Sequence, residues 1–133
     1  PPRGNTLANP GSRFGTDVPT GNWHAVVART ERGHLIGNPE ADARLVEFVS
    51  YTCGHCANFA RDGELALELV LLRPGKLSLE VRPVIRNALD LTVTMLVHCG
   101  DPAGFKERHH AFMSSQQAWM AKFAAAPQSQ QAI

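Results

Sequence analysis

The sequence predicts an α/β fold in which a strand–helix–strand unit is followed by a helical segment. The first observation is Arg44–Tyr51, a nearly continuous run of β-branched and aromatic residues, which is typical of a strand buried on both faces. From Thr52 onward, apolar residues recur at helical spacing until Arg73–Lys76 ends the pattern. Leu77–Val84 then alternates with period two, as a strand does. A strand, a helix and a second strand in this order most simply pair in parallel.

The chain divides into four predicted parts. Residues 1–22, rich in Pro, Gly, Asn and Thr, predict a flexible N-terminal arm. Residues 23–86 hold the βαβ portion, residues 87–126 a helical segment, and residues 127–133 a frayed tail.

Two shorter patterns refine this division. Trp23–Arg29 and His34–Gly37 predict two strands of a hairpin, because turn residues separate them. In the helical segment, Gly100–Pro102 predicts a break between two helices.

Composition excludes several classes of function. The chain has 133 residues, a formal net charge of +1 and no cluster of Lys and Arg, so no nucleic-acid partner is expected. No apolar run approaches the roughly 18–20 residues of a membrane span. The N-terminal residues have no apolar core of a signal peptide, so the protein is either cytosolic or the processed part of an exported precursor.

Cys53 and Cys56 lie where the strand gives way to the helix. Thr52 is the expected N-cap, which puts Cys53 in the first helical turn, where unpaired N–H groups favour a thiolate. His55 adds positive charge when it is protonated. Cys56 is close enough to close a disulfide with Cys53 and to resolve a mixed disulfide. Because a stabilised thiolate favours the dithiol, we expect the disulfide form to oxidise or reshuffle other thiols.

Glu47 interrupts the apolar strand, and two interpretations apply. It is either a buried acid whose raised pKa lets it pass a proton to Cys56, or an edge-strand glutamate that points to solvent. The apolar residues on both sides of Glu47 favour the first.

The remaining candidates have ordinary interpretations. Cys99 lies on an apolar helix stripe and is expected to be a small buried hydrophobe. His109 and His110 lie in a charged stretch and are expected on a solvated helix face. Zinc requires four ligands, and no second cysteine pair accompanies Cys53 and Cys56. We therefore expect neither a metal nor a cofactor.

The segment "LVEFVSYTCGHCANF" resembles the active site of the thioredoxin superfamily, specifically of DsbA-like periplasmic disulfide oxidoreductases, and the similarity runs from about Gly33 to the end. The resemblance implies a thioredoxin-like βαβ unit with an inserted helical segment. It implies that Cys53 is the nucleophile, Cys56 the buried resolving cysteine, His55 the group that tunes the thiolate, and Glu47 the acid behind the pair. It also implies reduced or misoxidised protein substrates, a membrane electron acceptor that reoxidises the pair, and a periplasmic location.

The chain departs from that family in two ways. Gly54–His55 resembles the dipeptide of protein disulfide isomerases rather than the Pro-His of DsbA, which leaves oxidase and isomerase open. The family continues with a cis-Pro loop, a β-hairpin and a final helix, which nothing here matches. A bare sheet edge would then invite self-association. The alternatives are a redox-inactive, chaperone-like binding module and a small zinc-binding domain.

Overall fold

The structure, a computed structural model, describes residues 21–131. Residues 1–20 of the predicted N-terminal arm lie outside the described residues, as do residues 132–133 of the predicted tail. One sheet has the strand order β1-β2-β4-β3. Its strands are β1 (Val27–Arg29), β2 (His34–Gly37), β3 (Ala43–Val49) and β4 (Leu77–Pro83). β3 and β4 pair in parallel, as predicted, and the other two pairings are antiparallel.

A continuous helical segment, α1, connects β3 to β4. It consists of α-helical Gly54–Asn58 and Glu64–Leu67, each followed by a π-helical turn, Phe59–Gly63 and Glu68–Leu72. A π turn accommodates an extra residue and so shifts the face that the following residues present. Glu64 lies on the same face as Ala57 and Ala60 and is buried in the core with them.

The helical segment after β4 has one more break than predicted. Its helices are α2 (Ala88–His98), α3 (Phe105–Ser114), α4 (Gln116–Ala125) and the short α5 (Gln128–Gln131). The predicted interruption near Gly100 forms a 3₁₀ turn, Pro102–Gly104, and a second interruption falls at Ser115. α5 forms within the predicted frayed tail. Among the helices of residues 21–131, none combines the length and apolar character that a membrane span needs.

Two predictions about the strands are wrong. Trp23–Ala25 forms a 3₁₀ turn, so β1 begins only at Val27. The prediction that β3 is buried on both faces also fails, because within the described residues β3 pairs with β4 alone. Its first three residues are exposed and Phe48 is 62% exposed.

The core lies between the sheet and helices α1, α2 and α3. It is centred on four fully buried residues, Tyr51, Val81, Val97 and Phe105. Because residues in register on paired strands share a face of the sheet, one row runs across it from edge to edge. That row is Glu47 on β3, Val81 on β4, His34 on β2 and Arg29 on β1.

Candidate active site

The helix that carries the cysteines begins one residue later than predicted. Cys53, not Thr52, is the N-cap, with φ −90° and ψ 122°, and the helix starts at Gly54. Thr52 does not cap the helix because its N–H and its hydroxyl both donate to Asp90, at 3.0 and 2.7 Å. The sulfur of Cys53 therefore lies at the N-terminal end of the helix, just before its first turn.

The pKa of Cys53 is lowered below that of an ordinary thiol. The main cause is a hydrogen bond from the main-chain N–H of Cys56, and the main-chain N–H of His55 adds to it. These N–H groups have no partner within the helix, so they are free to stabilise a thiolate. The guanidinium of Arg86 lowers the pKa further.

The pKa of Cys56 is raised instead. Burial is the main cause, because a thiolate there loses contact with water. The side chains of Cys53 and Cys56 share a hydrogen bond, in which the thiol of Cys56 stabilises the thiolate of Cys53. Glu47, when it is ionised, raises the pKa of Cys56 further. The two sulfurs thus differ in a defined direction: Cys53 loses its proton first.

Glu47 lies behind Cys56 and points into the protein. Its Oε1 is buried and makes no hydrogen bond. Burial raises the pKa of Glu47 to about 9, and Glu64, which shares a hydrogen bond with it, contributes next. Glu47 is therefore protonated at neutral pH. The solvent-facing interpretation of Glu47 does not fit this geometry.

The side chain of His55, in contrast, is not drawn into this group. Residue His55 is exposed to solvent, and it acts on Cys53 through its main-chain N–H. The predicted tuning of the thiolate by its imidazole stays a prediction.

The loop before Cys53 is fixed by Asp90, which the sequence did not mark. This carboxylate on the first turn of α2 is fully buried. It accepts hydrogen bonds from the hydroxyl of Ser50 at 2.9 Å and from the main-chain N–H of Arg86 at 2.9 Å, besides the two from Thr52. Burial opposes ionisation, but these donors, Thr52 foremost, outweigh it and lower the pKa of Asp90.

Gln116 holds the same loop from the other side. Its Nε2 donates to the carbonyl oxygens of Tyr51 and Cys53, at 2.8 and 2.9 Å. The residues on either side of the helix start are therefore fixed by side chains from α2 and α4. An amide and a carboxylate distant in sequence give no local signal, so sequence reasoning missed both.

An open groove of about 460 Å³ lies beside the helix start. Its wall combines polar residues next to Cys53 with apolar residues of α2 and α4. The residues that line it are Thr52, Arg86, Asn87, Ala88, Leu89, Met120, Phe123 and Gln131.

His109 is buried, so its predicted solvated position is wrong. Its Nε2 contacts Glu64 Oε2 at 3.0 Å and its Nδ1 contacts the hydroxyl of Tyr51 at 2.9 Å. Burial lowers the pKa of His109 to about 4, so the contact with Glu64 is a hydrogen bond of a neutral ring rather than a salt bridge. A periodic pattern alone could have shown that His109 lies on the face of Phe105 and Met113, which are both buried.

Cys99 is exposed, which contradicts the prediction of a buried hydrophobe. The apolar stripe on which it lies faces outward, with Met95 and Leu96 more than half exposed. Within residues 21–131, no three His, Cys, Asp or Glu side chains are arranged to hold a metal ion.

Comparison with known proteins assigns the family. A family model described as thioredoxin matches residues 29–132. The chain belongs to the thioredoxin family. A crystal structure of protein-disulfide isomerase from Novosphingobium aromaticivorans is 44% identical, with a TM-score of 0.69, over 75% of this chain and 52% of that one. These findings confirm the predicted α/β fold with a helical insertion.

Two further relatives are more distant. Wolbachia pipientis alpha-DsbA1 is 24% identical, with a TM-score of 0.62, over 70% of this thioredoxin-family chain and 47% of its own; it shares the fold. A Rickettsia typhi protein named "Putative protein-disulfide oxidoreductase" is 30% identical over 86 residues, which are 64% of this chain and 32% of that protein. The chain thus spans about a third of the length of its curated relatives.

Proposed function

We propose that this chain carries the redox centre of a thiol–disulfide oxidoreductase, which oxidises or isomerises disulfides in exported proteins through Cys53 and Cys56. The observation that carries the proposal is the opposite pKa shift of two hydrogen-bonded thiols at one helix start. The named activities of the Novosphingobium and Rickettsia relatives support it.

The chemistry follows from the difference between the sulfurs. A substrate thiolate attacks Sγ of Cys53, the Cys53–Cys56 bond breaks, and Cys56 leaves as a thiolate. Because the pKa of Cys56 is raised, this thiolate takes up a proton, for which protonated Glu47 is the donor. A second substrate thiolate then attacks the substrate sulfur of the mixed disulfide, and Cys53 leaves as a stabilised thiolate. The substrate loses two electrons and the cysteine pair gains them.

In the isomerase direction the reduced pair acts first. The thiolate of Cys53 attacks a misplaced substrate disulfide, and the mixed disulfide resolves within the substrate. The same helix start serves both directions, so oxidase and isomerase differ in the redox state that the cell maintains. A membrane electron acceptor that reoxidises the pair would favour oxidation, and a periplasmic location would suit either activity, because disulfides persist there.

Oxidation of a reduced model protein tests the proposal. The purified chain in its disulfide form should introduce a disulfide into reduced ribonuclease stoichiometrically, as shown by loss of free thiols. Cys53→Ser should abolish the reaction. Cys56→Ala, mixed with scrambled disulfide-containing ribonuclease instead, should accumulate mixed disulfides, because the thiolate of Cys53 attacks a substrate disulfide and no Cys56 is present to resolve the product. If wild type and Cys53→Ser oxidise the substrate equally slowly, the cysteine pair is not a redox centre.

A redox-inactive, chaperone-like module is the second candidate. The groove beside Thr52 and Arg86, with Leu89, Met120 and Phe123 in its wall, favours it, since an apolar groove suits an unfolded segment. Suppression of substrate aggregation by Cys53→Ser, with no thiol exchange in wild type, would support this candidate over the first.

We also propose that β3 associates with a second copy of the chain. Within the described residues β3 has a partner on one side only, and Leu45 and Phe48 are exposed on it. Such an edge is a template for strand addition. Sedimentation of wild type should show a concentration-dependent dimer that Phe48→Lys weakens; a monomer at all concentrations would contradict this.

A further inference from the structure

A chain of hydrogen-bonded side chains runs through the core from the cysteine pair to β2. Glu47 bonds to Glu64, and Glu64 contacts His109 Nε2 at 3.0 Å. His109 Nδ1 contacts the Tyr51 hydroxyl at 2.9 Å, which in turn contacts Nε2 of His98 at 3.0 Å.

The far end of this chain is His34. Its Nδ1 contacts Nδ1 of His98 at 3.1 Å. Glu47 and His34 belong to the same row of the sheet, on either side of Val81. The hydrogen-bonded residues therefore form an arch that begins and ends on the sheet, at Glu47 and at His34, with Val81 between these two residues. We call Glu47, Glu64, His109, Tyr51, His98 and His34 the buried arch.

The hydrogen bonds fix where each proton lies. The neutral rings of the arch each carry one N–H, because burial lowers the pKa of His34 to about 4, of His98 to about 3 and of His109 to about 4. Burial raises the pKa of Glu64, but its hydrogen bond with Glu47 acts in the opposite sense and raises the pKa of Glu47, so the shared proton lies on Glu47. Glu64 then accepts, so Nε2 of His109 donates to it and Nδ1 of His109 accepts from Tyr51.

The remaining hydrogen bonds of the arch join Tyr51, His98 and His34. The proton of Tyr51 is already used, so its oxygen accepts from Nε2 of His98. Nδ1 of His98 is then bare and accepts from Nδ1 of His34. Nε2 of His34 is left as an acceptor, and it is a buried atom with no hydrogen-bond partner among the residues that the structure describes. Every donor in the arch therefore points toward Glu64, and within the described residues an open acceptor lies at each end, Oε1 of Glu47 and Nε2 of His34.

We propose that the buried arch is a proton relay, which connects the carboxyl pair behind Cys56 with a proton entry at Nε2 of His34. The inference rests on the proposed function only in assigning a use to this relay. Glu64, His109, Tyr51, His98 and His34 are then positioning and relay residues for the reaction of Cys56.

The proton balance is complete. When the disulfide opens, Cys56 leaves as a thiolate and takes the proton of Glu47, which leaves two adjacent buried carboxylates. The relay requires that water reach the buried Nε2 of His34, which then takes up one proton while Nδ1 passes its own proton to His98. His98, Tyr51 and His109 each pass one proton onward, and Glu64 receives the last. Each ring stays neutral, and one proton has entered for each thiolate released.

Charged groups face the arch from several elements. Arg29 on β1 and Arg108 on α3 both face His34 and His98, and their positive charges oppose protonation of these rings. Lys106 and His110 on α3, and Glu68 on α1, face Glu64. The cationic end at β1 and the anionic end at Glu64 favour the movement of a proton toward the carboxyl pair.

Tyr51→Phe tests the relay, because it breaks the arch in the middle and keeps the aromatic ring. The measurement is the rate at which dithiothreitol reduces the Cys53–Cys56 disulfide of the full chain, with imidazole added at increasing concentration. Val97→Ala is the matched control, since Val97 is equally buried but lies outside the arch. We expect Tyr51→Phe to be slower by about tenfold or more, to regain speed with imidazole, and Val97→Ala to resemble wild type.

Other results would overturn the relay. Equal rates for Tyr51→Phe and Val97→Ala, or a slow Tyr51→Phe that imidazole does not accelerate, would mean that the arch has a structural role only. If Tyr51→Phe does not fold, His98→Gln replaces it, because an amide retains an N–H for Tyr51 and carries no titratable proton. This variant should be slow as well, and a wild-type rate would overturn the relay. Since dithiothreitol needs no protein substrate, failure of the ribonuclease assay alone would remove the proposed function and not the relay.

Discussion

At the scale of single residues, the environment assigns different chemistry to identical side chains. Cys53 at the helix start and Cys56 one turn further in carry the same thiol, yet their pKa values move in opposite directions. Main-chain N–H groups cause the first shift and burial causes the second. Two glutamates side by side, Glu47 and Glu64, show the related effect that adjacent buried carboxylates do not both ionise.

Asp90 offers a test of how the loop before Cys53 is held. Asp90→Asn replaces an ionised acceptor by an amide, which has one acceptor oxygen for the donors of Ser50, Thr52 and Arg86. We expect the free energy of unfolding in urea to fall by roughly 2–3 kcal/mol.

Asp62→Asn is the control for this substitution. Asp62 is exposed and, within residues 21–131, forms its one ion pair with exposed Arg61, so its loss should change the free energy of unfolding by less than about 0.5 kcal/mol. Equal effects of the two substitutions would show that Asp90 does not anchor the loop.

Sequence reasoning found the residues with local signals and missed those without. Cys53 and Cys56 are marked by their spacing, and Glu47 by its apolar neighbours. Glu64 was missed although it shares the helix face of buried Ala60, because nothing in its sequence neighbourhood shows the His109 that it meets in space. His109 was misplaced because its charged neighbours in sequence do not report the buried tyrosine and carboxylate that it meets in space.

At the scale of elements, the strand–helix–strand unit was predictable and its edges were not. Periodicity located β3, α1 and β4 to within two residues, because each repeats its pattern over several residues. The exposure of β3 was not predictable, because an apolar run has the same appearance whether a neighbouring strand is present or absent.

Gly33, in the turn between β1 and β2, lies close to the main chain of β4. A Cβ added at Gly33 would lie 1.9 Å from the carbonyl oxygen of Val81 on β4. Since backbone cannot yield as a flexible side chain does, Gly33→Ala should force β2 and β4 apart and lower the free energy of unfolding by roughly 2–3 kcal/mol.

Gly54→Ala is the matched substitution. A Cβ at Gly54 meets nothing within 4 Å, and alanine favours a helix by about 0.5–1 kcal/mol over glycine. Thermal unfolding of both variants should therefore show opposite shifts in Tm. A neutral Gly33→Ala would contradict the close packing of the turn against β4.

At the scale of the whole molecule, the buried arch makes stability depend on pH. The pKa values of His34, His98 and His109 are lowered from 6.5 to between about 3 and 4. Below pH 6.5 the unfolded chain therefore binds more protons than the folded chain at these rings. Their contribution to stability decreases as the pH is lowered. Glu47 acts in the opposite sense, since its folded pKa of about 9 lies above the ordinary value of 4.5. Its contribution is lost as pH rises from 4.5 toward 9.

The free energy of unfolding should therefore be greatest near pH 6.5. Below that pH the three rings outnumber the two carboxyl groups, whose pKa values are raised. Above it, Glu47 lowers stability by at most about 1.4 kcal/mol per pH unit. Urea unfolding of the disulfide form, in which Cys53 and Cys56 do not titrate, measures this curve. Glu47→Gln should flatten the alkaline side, and Glu31→Gln, at an exposed turn residue, should not.

A stability curve that is flat from pH 5 to pH 8 would contradict this account of the buried arch. A curve in which Glu31→Gln matches Glu47→Gln would show that general surface charge, rather than the buried carboxyl pair, sets the alkaline side.

The central claim is that main-chain N–H groups at a helix start lower the pKa of the Cys53 thiol. The measurement is the thiolate absorbance of reduced Cys56→Ala/Cys99→Ser, in which Cys53 is the one remaining thiol, followed against pH. The account predicts a midpoint well below the value of about 8.5 for a free cysteine. A midpoint at or above about 8.5 would contradict it.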